Sequence, residues 1–543
     1  MPLKSTAMLR TQLYANPHGR FVHELILESC RQFPQKTALL DASCNRRISY
    51  AEYGDIVETL ARAFIAAGLK PGEVIAIFLP NSWEFCAAYH AATLAGALPT
   101  LLNPSYRERE VRYQLENSGA TMLITDSPLV KDMNLAGLPL RAIYTTRQLS
   151  PGTREFAELL KPSSASLPMP DHPSDQMLAA LPYSSGTTGL PKGVMLSHYN
   201  LVANVYQLLG PGTCCFHPDD VVLCFLPLYH IYGLNVVLNP LLALGATVVL
   251  VPRFNLPPIT SLLIDERVTM MPTVPPALNA FCQAAEEGLF PRDHHVRWVK
   301  SGAAPLSPEL ARRFTSLTGI RVLQGYGMTE ASPVTHCGFL RPDLYRPESI
   351  GWSLAQTECR IVDSNDLVSP IANANEAVAS ETEAAPGEPG ELVMRGPQIM
   401  LGYWKEPQAT AAVLRDGWYW SGDIVTRDQD NFYYVLDRRK EMIKYKGFPV
   451  APAEIEAVLL EHSAVADCGV VGRPDSAAGE VPVAFVVLRQ AQIANQKLGA
   501  ELCDFVAQRL TQYKQPREVR FVEAIPKTPS GKILRRELRK SFA

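Results

Sequence analysis

Tyr183-Ser184-Ser185-Gly186-Thr187-Thr188-Gly189-Leu190-Pro191-Lys192-Gly193 has the composition of a phosphate cradle. Its glycines let the backbone approach a ligand closely, its hydroxyls donate hydrogen bonds, and Lys192 adds positive charge. It is not a Walker loop, because Gly193-Val194 follows Lys192 where that motif requires Ser or Thr. A phosphate-using chemistry of another kind is expected.

The rest of the sequence constrains what surrounds this loop. At roughly 100–200 residues per domain, 543 residues are too many for one core. With 47% hydrophobic and 19% charged residues the chain supplies a large interior, which excludes disorder as its general state. Lys and Arg total 51 against 54 Asp and Glu, so bulk charge does not recruit nucleic acid or an anionic membrane. Any phosphate must be met by a local site.

The 11 cysteines are scattered, with no C-x-x-C pair and only Cys214 and Cys215 adjacent, which predicts reduced, mostly buried thiols. No metal-ligand cluster is spelled out. The apolar region from Leu234 to Val251 is broken by Asn239-Pro240 and Gly245, so it predicts a core helix followed by a buried strand. There is no secretory apolar run, and Ser541-Phe542-Ala543 is not a peroxisomal ending, so a cytoplasmic protein is expected.

Short β-branched runs such as Val74–Leu79, Thr121–Thr125 and Thr247–Val251 alternate with helical-period stretches such as Tyr50–Gly68 and Trp83–Gly96. That alternation predicts an α/β body of layered subdomains with largely parallel sheets. From about Ile350 to Leu436 shorter segments, Gly390–Met394 and Phe432–Leu436 among them, predict an antiparallel β subdomain. Ala372–Pro389 is nearly free of large apolar residues and is expected to be a solvated, mobile loop. Beyond Asp437 the pattern becomes Pro452–Glu461 helix, Ala464–Val471 strand, Val481–Leu488 strand and Gly499–Leu510 helix, a small mobile α+β domain. The domains are placed at 1–436 and 437–543, with a hinge at 437–440.

Further segments occur in a fixed order: Leu226-Pro227-Leu228-Tyr229-His230-Ile231-Tyr232, Ser301-Gly302-Ala303-Ala304-Pro305, Gln324-Gly325-Tyr326-Gly327-Met328-Thr329-Glu330, Trp420-Ser421-Gly422-Asp423, Asp437-Arg438-Arg439-Lys440-Glu441 and Pro526-Lys527-Thr528-Pro529-Ser530-Gly531-Lys532. Together with the opening loop they resemble the adenylate-forming superfamily of acyl-CoA synthetases, 4-coumarate-CoA ligases and firefly-type luciferases. The resemblance spans nearly the whole chain. It implies that ATP and a carboxylate give an acyl-adenylate and pyrophosphate, and that the thiol of coenzyme A then displaces AMP. It further implies Mg2+ at Glu330 and Thr188, and nucleotide contacts from Ser184, Ser185, Gly186, Thr187, Thr188 and Lys192. Ala303, Gln324, Gly325 and Tyr326 would form the adenine slot, and Asp423 and Arg438 would hold the ribose. Thr329 would donate to the α-phosphate, Lys532 would neutralise charge during adenylation, and His230 would touch the carboxylate. Lys444, Lys446 and Gly447 would serve from a second face of the small domain after it swings about the hinge.

The resemblance to 4-coumarate-CoA ligases is close from Lys444 to Glu456, except that Pro449 stands where those ligases commonly have Gln. The acyl pocket is expected from Tyr232, Val236, Ala303, Gly325, Pro333 and Val334, with no cation in it. A hydrophobic acid follows, and a medium- or long-chain fatty acid is expected ahead of an aryl acid. CoA is the expected acceptor, with an acyl carrier protein as alternative. A catalytically dead nucleotide-binding scaffold is the reading from another class. Neither nucleic acid nor an integral membrane segment is implied.

Overall fold

The computed structural model describes residues 17–169, 172–184, 190–210, 213, 215–362, 383–446, 448–475, 478–489, 492–528 and 531–542. The short apolar runs form parallel strands buried on both faces, as the absence of period-2 alternation requires. One five-stranded parallel sheet runs Leu98–Leu101, Val74–Phe78, Met122–Thr125, Ala142–Thr145, Arg154–Glu155. A nine-stranded sheet has the order Trp352–Ser353, Val334–Cys337, Arg321–Gly327, Trp298–Ser301, Met270–Thr273, Val221–Cys224, Thr247–Leu250, Thr37–Asp41, Arg46–Ser49. Its six central strands are parallel and its edges antiparallel.

Helix Trp83–Leu94 contacts Thr37–Asp41 of the larger sheet and both Val74–Phe78 and Leu98–Leu101 of the smaller one. It is apolar on nearly every side, as befits a helix with no solvent face. Ser82 starts it by accepting the Phe85 N–H at 3.2 Å. The expected helix-then-strand over Leu234–Val251 is present with one elaboration. Gly233–Leu238 is a π-helical turn that runs into Asn239–Leu244, and Gly245 at φ +87° turns the chain into Thr247–Leu250. The widened turn lies where Pro240 has no N–H for the Val236 carbonyl.

Glu358–Val362, Gly390–Arg395, Leu414–Arg415, Trp418–Arg427 and Tyr433–Arg438 form the antiparallel sheet. The end of the expected solvated loop is instead docked on this sheet: Glu383 bridges Val362, and buried Ala384 donates its N–H to the Ile361 carbonyl at 2.7 Å. Residues 372–382 of that loop lie outside the described residues.

The C-terminal part has its own sheet of Phe448–Val450, Ile443–Tyr445, Gly479–Leu488 and Val465–Asp475, with Glu518–Phe521 parallel to Gly479–Leu488. Helices Pro452–Leu460 and Gln496–Ala507 cover it, and its core gathers residues from Ile443 to Phe521 only. The second helix begins three residues earlier than its apolar pattern suggests, because Asn495 caps it by accepting the Leu498 N–H. Cys30, Cys86, Cys224, Cys282 and Cys468 are buried thiols, as expected. Among the described residues no helix is long and apolar enough to cross a membrane.

Gly351 joins the edge of the nine-stranded sheet to Tyr433 of the antiparallel one. It sits at φ +88°, and a Cβ there would lie 1.9 Å from the Cys337 carbonyl oxygen. Gly351→Ala should cost about 2–4 kcal/mol, measured as a lowered midpoint of urea unfolding.

Candidate functional site

The parallel strands Met270–Thr273, Trp298–Ser301 and Arg321–Gly327 end in register, Thr273 beside Ser301 beside Gln324. The segments Ser301–Pro305 and Gln324–Glu330 therefore emerge side by side at the carboxyl edge of the sheet, where open α/β sheets bind ligands. Two non-glycine residues there, Ala303 and Ser332, each hold φ of +66°, a conformation that only a well-determined surrounding supports.

Tyr183–Ser184 pairs antiparallel with Lys192–Ser197, Ser184 opposite Lys192, so the residues flanking the glycine-rich segment lie side by side. Ser185, Gly186, Thr187 and Thr188 lie outside the described residues, as does Gly447. The strand Tyr183–Ser184 is tied to the sheet edge, where Ser184 Oγ donates to Glu330 Oε1 at 3.2 Å. Tyr403 OH donates to the same oxygen at 2.8 Å, and Lys192 Nζ stands 5.3 Å from the centre of the Tyr403 ring. Tyr403 was not singled out in the sequence. It reaches the site because Gly402–Tyr403 adds a short strand to Lys192–Ser197, a pairing across some two hundred residues. Burial, then the charge of Glu330, drives its phenol far above the ordinary range. Thr329 and Glu330 share a 3-10 turn directly after the strand. No group of three or more His, Cys, Asp or Glu among the described residues could cage a metal. A single buried carboxylate beside a phosphate-type loop fits Mg2+, which keeps much of its shell from water and phosphate oxygens.

Asp423, 4% exposed, is reached from two directions. Tyr326 OH donates to Oδ2 at 2.5 Å, and Arg438 Nε lies 3.1 Å from Oδ1. Oδ1 accepts no hydrogen bond of good geometry among the described residues, so a buried acceptor is open for a hydroxyl. Burial first, then the negative charge of Asp423, lifts the Tyr326 phenol well above its usual value. The other edge of that ring rests on His336, 5.7 Å between centres. Gln324 commits its amide N–H to the Pro347 carbonyl at 2.7 Å, so it meets the site through backbone.

His230 follows the strand Val221–Cys224, and Asn81 fixes that exit. The Asn81 amide donates to the Leu226 carbonyl at 2.9 Å and its oxygen accepts the Leu228 N–H at 2.8 Å. His230 Nδ1 accepts the Tyr232 N–H at 3.2 Å, which puts the ring proton on Nε2. Burial pushes its pKa down to about 4, so the ring is neutral and offers a donor. Asn235, on the same π-helical turn as Val236, donates to the Ser332 carbonyl at 2.7 Å and brings that turn against Pro333 and Val334.

Beside Gly325, one of the residues expected to line the acyl pocket, lies a buried lysine that the sequence did not single out. Lys300 is 2% exposed, and its chain runs along Gly325: a Cβ at Gly325 would lie 2.5 Å from Lys300 Cε and 3.4 Å from Nζ. Tyr232 OH donates to the Lys300 carbonyl at 2.8 Å. Lys300 occupies a strand position where sequence pattern predicts an apolar residue, and only the neighbouring missing side chain makes room for it.

The small domain delivers Lys532 to the same place. Gly531, at φ +85°, packs on Pro276 and faces Ala304 of the body. Burial and then the charge of Arg438 lower the Lys532 pKa to about 8, opposed by Asp423, Glu441 and Glu330. Lys444 and Lys446 are held on the domain's own sheet: the Lys444 N–H donates to Glu480, and Lys446, at φ +49°, donates its N–H to the Ala478 carbonyl.

The AMP-binding enzyme family matches residues 26–404, and the AMP-binding enzyme C-terminal domain matches residues 454–532. The chain therefore belongs to the adenylate-forming, AMP-binding enzymes. It is an AMP-forming acid–thiol ligase, of the class that uses ATP, Mg2+ and coenzyme A. It is 38% identical over 532 residues to 4-coumarate-CoA ligase 1 of Narcissus pseudonarcissus, spanning 96% of this chain and 94% of that one. The 4-coumarate–CoA ligase of Pinus taeda is 37% identical over 531 residues, with 96% and 95% covered. Among solved structures, ATP-bound MatB from Rhodopseudomonas palustris is similar at a TM-score of 0.83 and 28% identity, covering 96% of this chain and 99% of that one. The o-succinylbenzoate CoA synthetase MenE of Bacillus subtilis, in complex with the acyl-adenylate intermediate OSB-AMP, is similar at 0.79 and 29%, covering 95% and 97%.

Tyr326→Phe removes one of the donors that hold the buried Asp423 charge. It should destabilise the body by about 1.5–3 kcal/mol, read from the urea midpoint, and raise the KM for ATP.

Proposed function

We propose that this ligase activates an aryl acid of the 4-coumarate type and transfers it to coenzyme A. The observation that carries the choice of acid is the 37–38% identity, along 96% of the chain, to relatives named 4-coumarate–CoA ligases: those names support an aryl acid and not a fatty acid. They lend no support to a carrier protein as acceptor.

In this proposal the carboxylate oxygen attacks the α-phosphorus of ATP, the bond to the β-phosphate oxygen breaks, and pyrophosphate leaves. Two anions must meet, so cations and aimed donors dominate. Asp423 accepts from the ribose through its open Oδ1, with Arg438 beside it. His230 donates from Nε2 to the carboxylate and, being neutral, does not act as its base. Glu330 would hold Mg2+, which when bound shields phosphate oxygens. Thr329 and Lys192 face the phosphates, and Lys532 meets the charge that builds on phosphorus. The small domain then turns about 437–440 and presents Lys444 and Lys446. The CoA thiolate attacks the acyl carbon, and AMP departs with its electron pair.

The test is a panel of cinnamates and C2–C18 acids with CoA as acceptor and AMP as readout. 4-Coumarate and its hydroxylated analogues should give the highest kcat/KM. A fatty acid leading the panel would overturn the choice. Lys532→Ala should lower pyrophosphate release about 10²–10³-fold while thioester formation from supplied acyl-adenylate persists.

Lys532 is cationic below a pKa of about 8 and neutral above it. The kcat/KM for ATP, which reports the free enzyme, should therefore fall about tenfold per pH unit as pH rises beyond that point. Lys532→Arg should flatten that limb.

A further inference from the structure

Asp437 belongs to strand Tyr433–Arg438 of the body, yet its carboxylate faces the small domain and is only 7% exposed. Oδ1 accepts the Arg438 N–H at 2.7 Å, and Oδ2 accepts the Ala453 N–H at 2.9 Å. Ala453 lies in the first turn of helix Pro452–Leu460. Because Pro452 has no N–H, Ala453 carries the first donor of that helix, at its positive end.

Behind this contact lies a buried ion pair within the small domain. Arg535 forks onto Glu456 at 2.7 and 2.8 Å and donates through Nε to the Val470 carbonyl, while Glu456 accepts the Val470 N–H at 2.7 Å. Burial raises both carboxyl groups, Glu456 to about 7, and for each the positive charge of Arg535 is the leading opposition. Arg535 stands three residues after Lys532 in the chain, and Arg539 of the same short helix pairs with Glu441, just past the hinge, at 2.7 Å. A body carboxylate, the start of a lid helix and the cation next to the Lys532 loop thus form one connected contact.

We propose that Asp437 is a positioning residue for the adenylation half-reaction: its bond to Ala453 holds the small domain in the orientation that places Lys532 at the nucleotide, and the bond breaks when the domain turns for thioester formation. The proposal rests on the domain turn argued above. Because Asp437 sits in the chain segment that joins the two parts, its bond ties the start of helix Pro452–Leu460 directly to strand Tyr433–Arg438. The arrangement also makes the two half-reactions separable at a residue that touches neither substrate.

The test compares pyrophosphate release without CoA against thioester formation from supplied acyl-adenylate, in wild type, Asp437→Asn, Ala453→Pro and Lys532→Ala. Asp437→Asn keeps shape and one acceptor but loses the charge. Ala453→Pro removes the donor from the opposite side, and the chain already starts a helix with two prolines, Pro275-Pro276. Both should slow adenylation about 10- to 100-fold, leave thioester formation unchanged or faster, and shift the melting temperature alike. Equal losses in both half-reactions, or none in either, while Lys532→Ala remains defective in adenylation, would overturn the role of Asp437 alone. Retention of adenylation by Lys532→Ala would remove the domain reading and this proposal with it.

Discussion

The charge of Asp423, kept buried at the end of the antiparallel sheet, organises the site. An ionised carboxylate out of water is costly unless donors surround it. Here Tyr326 of the nine-stranded sheet donates to one oxygen, and Arg438, opposite Asp423 on the neighbouring strand Tyr433–Arg438, sets a positive charge 3.1 Å from the other. Gly422 and Ser421 belong to the bulged stretch of strand Trp418–Arg427 that holds it, the first donating its N–H to buried Glu391 and the second accepting the Asp423 N–H. One acceptor is left over. Sheet, subdomain and hinge are thereby brought together around a single vacancy of hydrogen-bonding capacity, the requirement for a polar ligand.

The same economy recurs across the site. Glu330 gathers Ser184 and Tyr403, Asn81 gathers the exits of two strands, and Glu391 holds Gly422 on one side and Arg439 on the other. Each is a polar side chain buried between elements that have no local reason to meet. Apolar packing supplies the layers, and these few polar junctions fix how the layers are registered at the carboxyl edge. The small domain packs a core of its own, separate from that of the body.

The sequence carried most of the architecture. Val74–Phe78 and Thr247–Leu250 read as buried parallel strands since nothing polar alternates in them, and the helical period of Tyr50–Gly68 matches helix Tyr50–Ala66, which the structure shows capped by Ser49. Helix Gln496–Ala507 was legible but misplaced at its start, because Asn495 outweighs the apolar pattern there. The family was legible through ordered motifs. Lys300 and Tyr403 were not: one looks like a stray charge in a strand, and the other depends on an edge pairing that no local period encodes.

What the sequence by itself determined was the class of chemistry and the division into a body and a lid, since glycine and hydroxyl content, strand periodicity and motif order are local properties. Only the tertiary structure decided the surroundings of Gly325 and the partners of Asp437. Lys300 acquires meaning from the absent side chain at Gly325, and Asp437 from Ala453 and Arg535. Those are relations between positions far apart in the chain, created when burial forces each charge to find a partner, and composition and spacing do not specify which partner it finds.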